Sequence, residues 1–334
     1  MAVSETVIRE VFLVQPIHPA GTDRLRAAGF HVRQATGSDM VTVAGEIGGA
    51  QAVVTRSAGL SAAAMAAAPR LRLVVVHGVG YDPVDVSHAT AHGILVCNTP
   101  AENAESVAEH AIGLVLALAR QTIPGDRAVR RGAFEAKYRL PIAELRGKTL
   151  GIVGCGRIGT LTAAMARRGF GMRVLGYSPS RGAAVLRRLG IEPCRDLGRL
   201  LERADVVSLH VPLRPETRGL VGRPELARMK PGAFLVNTAR GALVDEEALV
   251  AALASRHLGG AGLDVFAEEP LAIDHPLLGL DNVVLSPHVA GSSEEALART
   301  ALAVARAVAS MARGRRPANV IDLPDGRTGA RRRR

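Results

Sequence analysis

The sequence predicts an α/β protein built from two doubly wound parallel-sheet domains, Rossmann-like or flavodoxin-like, with an active-site cleft between the domains. Three observations predict it. Short apolar runs alternate with longer helical patterns over almost the whole chain, as parallel strands joined by crossover helices require. The 334 residues are about twice the length of a typical single domain. A Gly-x-Gly-x-x-Gly turn stands near mid-chain between an apolar run and a helical pattern, where a nucleotide-binding half would begin.

In the first third, strands are expected over residues 11–14, 52–55, 73–77 and 95–97, separated by helical patterns such as 22–28 and 61–68. A long helix over 103–120 is apolar nearly all round, through Val107, Ala111, Ile112, Val115, Leu116 and Leu118, so it should be buried on most sides. Residues 121–146 carry Pro124, Gly125, Gly132 and Pro141 and read as irregular, an arm suited to packing on a partner subunit with Phe134 as an anchor. A second series of strands follows at 149–153, 173–177, 205–209, 234–237, 261–263 and 283–285. The final helical pattern, 293–313, is expected to return to the first lobe. The resulting division is a discontinuous substrate-binding domain, 1–102 plus 290–324, a nucleotide-binding domain, 103–289, and a disordered arginine-rich tail, 325–334.

Composition narrows the function classes. The net charge is +11, but lysine occurs only at 137, 148 and 230, and abundant arginine, alanine and glycine fit a coding bias better than a nucleic-acid surface. With 3% aromatic residues there is little to stack on bases, so no nucleic-acid partner is expected. The apolar run from Ala111 to Ala119 is far short of the ~20 residues a membrane span needs. The first residues carry Glu5 and Glu10 and lack a secretory pattern, and the three cysteines have no metal-ligand spacing. A cytoplasmic protein with no metal centre is the expectation.

The turn reads Gly154-Cys-Gly156-Arg-Ile-Gly159. In a dinucleotide fold the first glycine permits the tight turn, the second admits the pyrophosphate and the third lets the helix pack on the strand. The helix N-terminus then offers free N–H groups to the phosphates. An acidic residue at the end of the next strand would hold a ribose 2′-hydroxyl and repel a 2′-phosphate. Here that place reads Ser178-Pro-Ser180-Arg181, which favours NADP over NAD. Cys155 occupies a variable place in the turn and is assigned no reactivity.

Three later segments place polar residues at expected strand ends: Asn237-Thr-Ala-Arg240-Gly241, Asp264-Val-Phe-Ala-Glu268-Glu269-Pro270 and Ser286-Pro-His288-Val-Ala-Gly291. Loops at the carboxyl ends of parallel strands line ligand crevices. Arginine, glutamate and histidine arriving there make a plausible reduction site: hydride transfer to a carbonyl needs a proton donor for the developing alkoxide, and an imidazole, with an ordinary pKa of ~6.5, suits that task. Glu269 would favour the imidazolium and orient the ring of His288. The Arg240 guanidinium could hold a carboxylate through two parallel hydrogen bonds.

On these segments, together with His77-Gly-Val-Gly80-Tyr-Asp82, Asn98-Thr-Pro100, Ser106-Val-Ala-Glu109-His110 and Leu209-His210-Val-Pro212-Leu-Arg-Pro-Glu-Thr217, the chain resembles the D-isomer-specific 2-hydroxyacid dehydrogenases over nearly its whole length. That family includes phosphoglycerate dehydrogenases and glyoxylate/hydroxypyruvate reductases. The resemblance implies catalytic roles for His288, Glu269 and Arg240, and a second hold on the carboxylate by the N–H groups of Val79 and Gly80, where a Gly-rich turn can act as an anion nest. Arg56 and Ser57 are expected as further substrate contacts. Cofactor contacts are expected at Gly154, Gly156, Arg157, Ile158, Gly159, Ser178, Ser180, Arg181, His210, Val211, Pro212, Thr217, Thr238 and Ala239. Asp264 would accept a hydrogen bond from the nicotinamide carboxamide. His110 and His210 are expected in structural or backbone-contact roles rather than as acids.

The function so implied is reduction of a small 2-oxo acid, glyoxylate or hydroxypyruvate, to its D-2-hydroxy acid by a homodimer. Glu269, where formate-oxidising relatives carry glutamine, argues against that activity. No additional regulatory domain is expected after residue 321. The alternatives are a phosphoglycerate dehydrogenase, a phosphite dehydrogenase-like oxidoreductase and, from another class, a nucleotide-sensing transcriptional corepressor.

Overall fold

The computed structural model describes residues 8–321, and the expected arginine-rich tail lies outside the described residues. The chain divides into two compact units, one made of residues up to Asn103 together with Ser293 onward, the other of Ala104–Ser292.

The first unit holds β1 (Glu10–Leu13), β2 (His31–Gln34), β3 (Ala52–Thr55), β4 (Leu73–Val76) and β5 (Leu95–Asn98), all parallel in the order β2-β1-β3-β4-β5. This is the flavodoxin-like order, whose switch point lies between β1 and β3. Its helices are α1 (Pro19–Ala27), α2 (Met40–Glu46), α3 (Ala62–Ala66), α4 (Val86–Ala91) and, from the chain's far end, a helix over Glu294–Ala312. Strands buried on both faces need apolar residues at every position. β3 and β4 meet that with AVVT and LVVV, each fully buried. Alternate strand residues feed two cores, Phe12, Val53 and Val74 one of them, and Val11, Val54 and Val75 the other.

The second unit begins with α5 (Ala104–Ala119) and α6 (Thr122–Arg130) and continues through β6 (Thr149–Val153), α7 (Arg157–Phe170), β7 (Arg173–Tyr177), α8 (Ala183–Arg188), β8 (Glu192–Pro193), α9 (Leu197–Arg203) and β9 (Val206–Leu209). It then runs through α10 (Arg223–Arg228), β10 (Phe234–Asn237), α11 (Glu246–Ala254), β11 (Gly260–Leu263) and β12 (Val283–Leu285), after which α12 (Glu294–Ala312) belongs to the first unit. The parallel order β12-β11-β10-β9-β6-β7-β8 is a Rossmann arrangement with one added strand, and its switch point lies between β6 and β9. Among the described residues no helix is long and apolar enough to cross a membrane.

Two differences from the sequence expectation have physical reasons. β2 and β8 were not expected. Both are edge strands without an apolar run, HVRQ and EP, and no position in either is fully buried. The 121–146 segment is not irregular throughout: α6 runs across Pro124 and Gly125, and a short 3-10 turn covers Phe134–Tyr138. Pro124 falls in the first helical turn, where a missing N–H costs no intrahelical bond.

Candidate active site

β6 ends in the glycine turn. Gly154 has φ +97°, and a Cβ there would lie 2.6 Å from the His210 carbonyl carbon, so the turn closes against the end of β9. A Cβ on Gly159 would lie 2.2 Å from the Gly154 oxygen. Packing within the chain therefore accounts for both glycines. Gly156 differs, because a Cβ there meets nothing within 4 Å and its φ of −72° suits any residue. Open space over Gly156, and a first turn of α7 with no side-chain cap, fit a phosphate group approaching the backbone.

Around this turn the expected contact residues fall as follows. Arg157 is exposed and Ile158 half-buried at the start of α7, while after β7 Ser178 is half-buried and Ser180 and Arg181 are exposed. Cys155 is fully buried, and burial pushes its thiol up to about 11 against the opposing charge of Arg181, so it is inert. His210 accepts or donates one bond with the Ser208 hydroxyl at 2.9 Å, and burial pushes its imidazole down to about 4, leaving it neutral. Val211 and Pro212 continue from it, and the Thr217 hydroxyl is spent locally, donating to Pro212 O and accepting from Arg214 N.

The three charged residues arrive from adjacent strands. β10, β11 and β12 are neighbours, and Arg240, Glu269 and His288 all follow their carboxyl ends. The Asn237 side chain staples the first loop, donating to Arg240 O at 2.8 Å and accepting from Ala239 N at 3.0 Å. Thr238 lies in that loop with a buried hydroxyl that has no partner among the described residues. Gly241 brings the first loop onto the second, since a Cβ there would lie 1.9 Å from the Phe266 carbonyl carbon.

His288 Nδ1 is 2.8 Å from Glu269 Oε2. A carboxylate only accepts, so Nδ1 carries the proton and Nε2 is the nitrogen left for other chemistry. Glu269 Oε1 accepts from Phe266 N at 3.1 Å, which fixes the carboxylate plane. Partial burial pushes the Glu269 carboxyl up, but the hydrogen bond and charge of His288, the Phe266 N–H and the Arg240 charge outweigh it, and the net shift is below the usual carboxylate range. His288 itself adopts φ +53°, a left-handed conformation uncommon outside glycine. Asp264 is fully buried, and its carboxylate accepts from the Ser286 hydroxyl and from the N–H groups of Val289 and Ala290.

In the first unit, Arg56 and Ser57 follow β3, and Val79 and Gly80 lie in the turn after β4. Gln15, just beyond β1, accepts from Arg56 N and Ala58 N and donates to the Ser57 hydroxyl. Burial lowers the Arg56 pKa, and its guanidinium donates to Pro16 O. Asn98 and Thr99 pin the 78–80 turn by donating to Val79 O and accepting from Gly78 N. Among the described residues the N–H groups of Val79 and Gly80 have no acceptor.

Residues 112–290 match the D-isomer specific 2-hydroxyacid dehydrogenase, NAD binding domain family. That span is more than half of the chain. The chain belongs to the D-isomer specific 2-hydroxyacid dehydrogenase family. Membership makes it a nicotinamide-dependent oxidoreductase of D-2-hydroxy acids. A glyoxylate reductase of Korarchaeum cryptofilum is 47% identical over 261 residues, covering 77% of each chain. A D-3-phosphoglycerate dehydrogenase of Archaeoglobus fulgidus is 39% identical over 316 residues, covering 94% of this chain but only 59% of that longer protein. The NADPH-dependent glyoxylate/hydroxypyruvate reductase of Sinorhizobium meliloti, solved with NADP and malonate, superposes with a TM-score of 0.83 at 31% identity, over 94% of this chain and 96% of that one.

Within this D-2-hydroxyacid dehydrogenase, three supporting residues were not assigned roles from sequence. Asn237 and Ser286 stood inside the quoted segments without a function, and Gln15 was not singled out. Each is a polar residue at or just beyond the end of a parallel strand. That place is the signal that could have found them, because a side chain there can staple the loop that follows.

Proposed function

We propose that the chain reduces a small 2-oxo acid, glyoxylate or hydroxypyruvate, to the D-2-hydroxy acid with NADPH as the preferred reductant. The observation that carries this reading is the His288–Glu269 pair, 2.8 Å apart, on loops adjacent to that of Arg240. The dinucleotide, when bound, supplies the hydride taken up at the substrate's C2 carbon. His288 gives the proton from Nε2 to the oxygen on C2, and Glu269 steadies the imidazolium beforehand through Nδ1. Arg240 holds the substrate carboxylate and polarises the carbonyl. Arg56, whose charge is partly desolvated, and the unengaged N–H groups of Val79 and Gly80 supply a further hold on the acid. In the reverse direction His288 accepts the hydroxyl proton.

The glycine turn, Thr238 and Ala239 are proposed to hold the dinucleotide, and Ser178, Ser180 and Arg181 to take its 2′-phosphate. Support for NADP comes from the lack of an acidic side chain after β7 and from the nearness of Arg181 to the turn, where its charge bears on Cys155. The Sinorhizobium relative, solved with NADP, agrees with that reading. The chain is further proposed to act as a cytoplasmic homodimer. All three cysteines are free thiols, and no residue of α6 or of the Phe134–Tyr138 turn is buried.

Initial rates with NADPH and NADH against glyoxylate, hydroxypyruvate, pyruvate and phosphohydroxypyruvate test the reading. Glyoxylate or hydroxypyruvate is expected to give the highest kcat/KM, and NADPH to exceed NADH at least tenfold. Arg181→Ala should remove most of that preference while leaving the NADH rate within about twofold. A faster rate with phosphohydroxypyruvate, or with NADH, would overturn the corresponding part.

A further inference from the structure

The loop that carries His288 is held from two directions. Three successive N–H groups converge on Asp264: His288 N on the Asp264 carbonyl at 2.8 Å, Val289 N on Oδ1 at 2.9 Å and Ala290 N on Oδ2 at 2.8 Å. Consecutive N–H groups around a left-handed residue form a concave nest for an anion, and here the anion is the chain's own carboxylate. The left-handed φ of His288 is the backbone condition for that nest.

Ser286 and His110 complete the arrangement. The Ser286 Oγ lies 2.6 Å from Asp264 Oδ1 and 2.8 Å from His110 Nε2. A serine has one proton to give and a carboxylate only accepts, so Ser286 donates to Asp264. His110 must then donate from Nε2 to Ser286, with Asp264 Oδ1 itself at 3.5 Å. His110 sits on α5 one turn beyond Ser106, whose hydroxyl donates to Ala290 O at 2.7 Å. Residues four apart share a helix face, so one face of α5 grips the loop at Ser286 and at Ala290.

We propose that Ser286 and His110 are positioning residues for the reaction: the relay His110–Ser286–Asp264 sets the backbone of the 286–290 loop, and so points the His288 imidazole at Glu269. The hydrogen bonds of both side chains lead to Asp264, and that of the His288 ring to Glu269, so both act through Asp264. Asp264 is fully buried, so removing one of its donors cannot be made good by bulk water. The Asp264 carboxylate then loses a donor that holds it against the Val289 and Ala290 N–H groups. Displacements of about 1 Å at a reacting group can cost on the order of 100-fold in rate.

This inference rests on the proposed acid role of His288, so its test needs a readout independent of turnover. Ser286→Ala, Ser286→Thr, His110→Leu and His110→Gln would be compared with the parent protein. The readouts are steady-state reduction kinetics, NADPH affinity by fluorescence titration, melting temperature, and the proton NMR signal of the His288 Nδ1–H, assigned by its loss in His288→Ala. Ser286→Ala and His110→Leu should lower kcat by about 10- to 100-fold and broaden or abolish the Nδ1–H signal, with NADPH affinity within twofold. Ser286→Thr keeps the hydroxyl and His110→Gln keeps an N–H donor, and each should recover most of both readouts.

If the parent protein reduces none of the acids, the functional reading fails while the NMR comparison still decides the positioning role. An unchanged Nδ1–H signal in both Ser286→Ala and His110→Leu would overturn it. So would losses of signal, NADPH affinity and melting temperature that run in parallel and are not recovered by Ser286→Thr or His110→Gln, because that pattern marks a general folding defect.

Discussion

His77, at the end of β4, is 8% exposed, and its buried Nε2 has no partner among the described residues. Burial above all, then the charge of Arg56, pushes its imidazole down to about 4, against carbonyl contacts at its own backbone and at Leu297 that act the other way. A histidine whose folded pKa lies below its unfolded value of ~6.5 is held neutral by folding. Its contribution is therefore fully present above pH ~6.5 and is lost as pH falls toward about 4. Between pH 7.5 and 4.5 the loss from this one group comes to about 2–3 kcal/mol. Urea unfolding at those two pH values should show a smaller loss for His77→Gln than for the parent by about that amount. Equal losses would mean that His77 does not stay neutral. His210 reaches the same low range by burial alone and should persist as a background in both proteins. At this scale the sequence drew attention to an imidazole, a guanidinium and a carboxylate at expected strand ends, and the fold carries Arg240, Glu269 and His288 on loops after neighbouring strands. The sequence was a poor guide to what each hydrogen-bonds. The inward-facing Asp264 carboxylate and the self-satisfied Thr217 hydroxyl depend on loop conformations that residue type alone does not specify.

At the scale of elements, the site depends on how closely loops can pack. The loop after β10 and the loop after β11 touch at Gly241, where a methyl group would need to occupy the place of the Phe266 carbonyl. Arg240 and Glu269 ride on those two loops, so the separation between them follows from this contact. Gly241→Ala should push the loops apart, lowering kcat at least tenfold and the melting temperature by several degrees, measured by steady-state kinetics and calorimetry. Retention of full activity would show that the loops accommodate the extra carbon. The buried strands were legible from sequence because burial on both faces demands unbroken apolar runs, as in VVV at 74–76 and TLGIV at 149–153. β2 and β8 were not, since an edge strand has no such demand and its pairing is decided by its neighbour. α6 was hidden for another reason: its proline and glycine lie at the start of the helix, where they do little harm, yet they read as breakers.

For the whole molecule, two units with different strand orders are each a complete parallel sheet with apolar cores fed from both faces. The repeated run-and-helix rhythm announced both sheets, but strand order is set by crossover geometry and left no mark in the sequence beyond the glycine turn at the switch point. α6 and the turn after it leave Val129, Phe134 and Tyr138 60%, 63% and 76% exposed, an apolar arm that burial against a second copy would satisfy. Sedimentation should show a dimer for the parent protein, and a shift toward monomer at micromolar concentration for the Phe134→Ser, Tyr138→Ser double variant. An unshifted dimer would place the interface elsewhere.

His288, aligned by Glu269, is proposed to deliver the proton in a nicotinamide-dependent reduction. The most direct measurement is the initial rate of NADPH oxidation by glyoxylate and hydroxypyruvate for the parent protein, Glu269→Gln and His288→Gln, with NADPH binding measured on each. Binding is expected within about twofold throughout, with a rate loss of about 10²- to 10⁴-fold for His288→Gln and a smaller loss for Glu269→Gln. Turnover by His288→Gln within tenfold of the parent would contradict the proposed proton delivery.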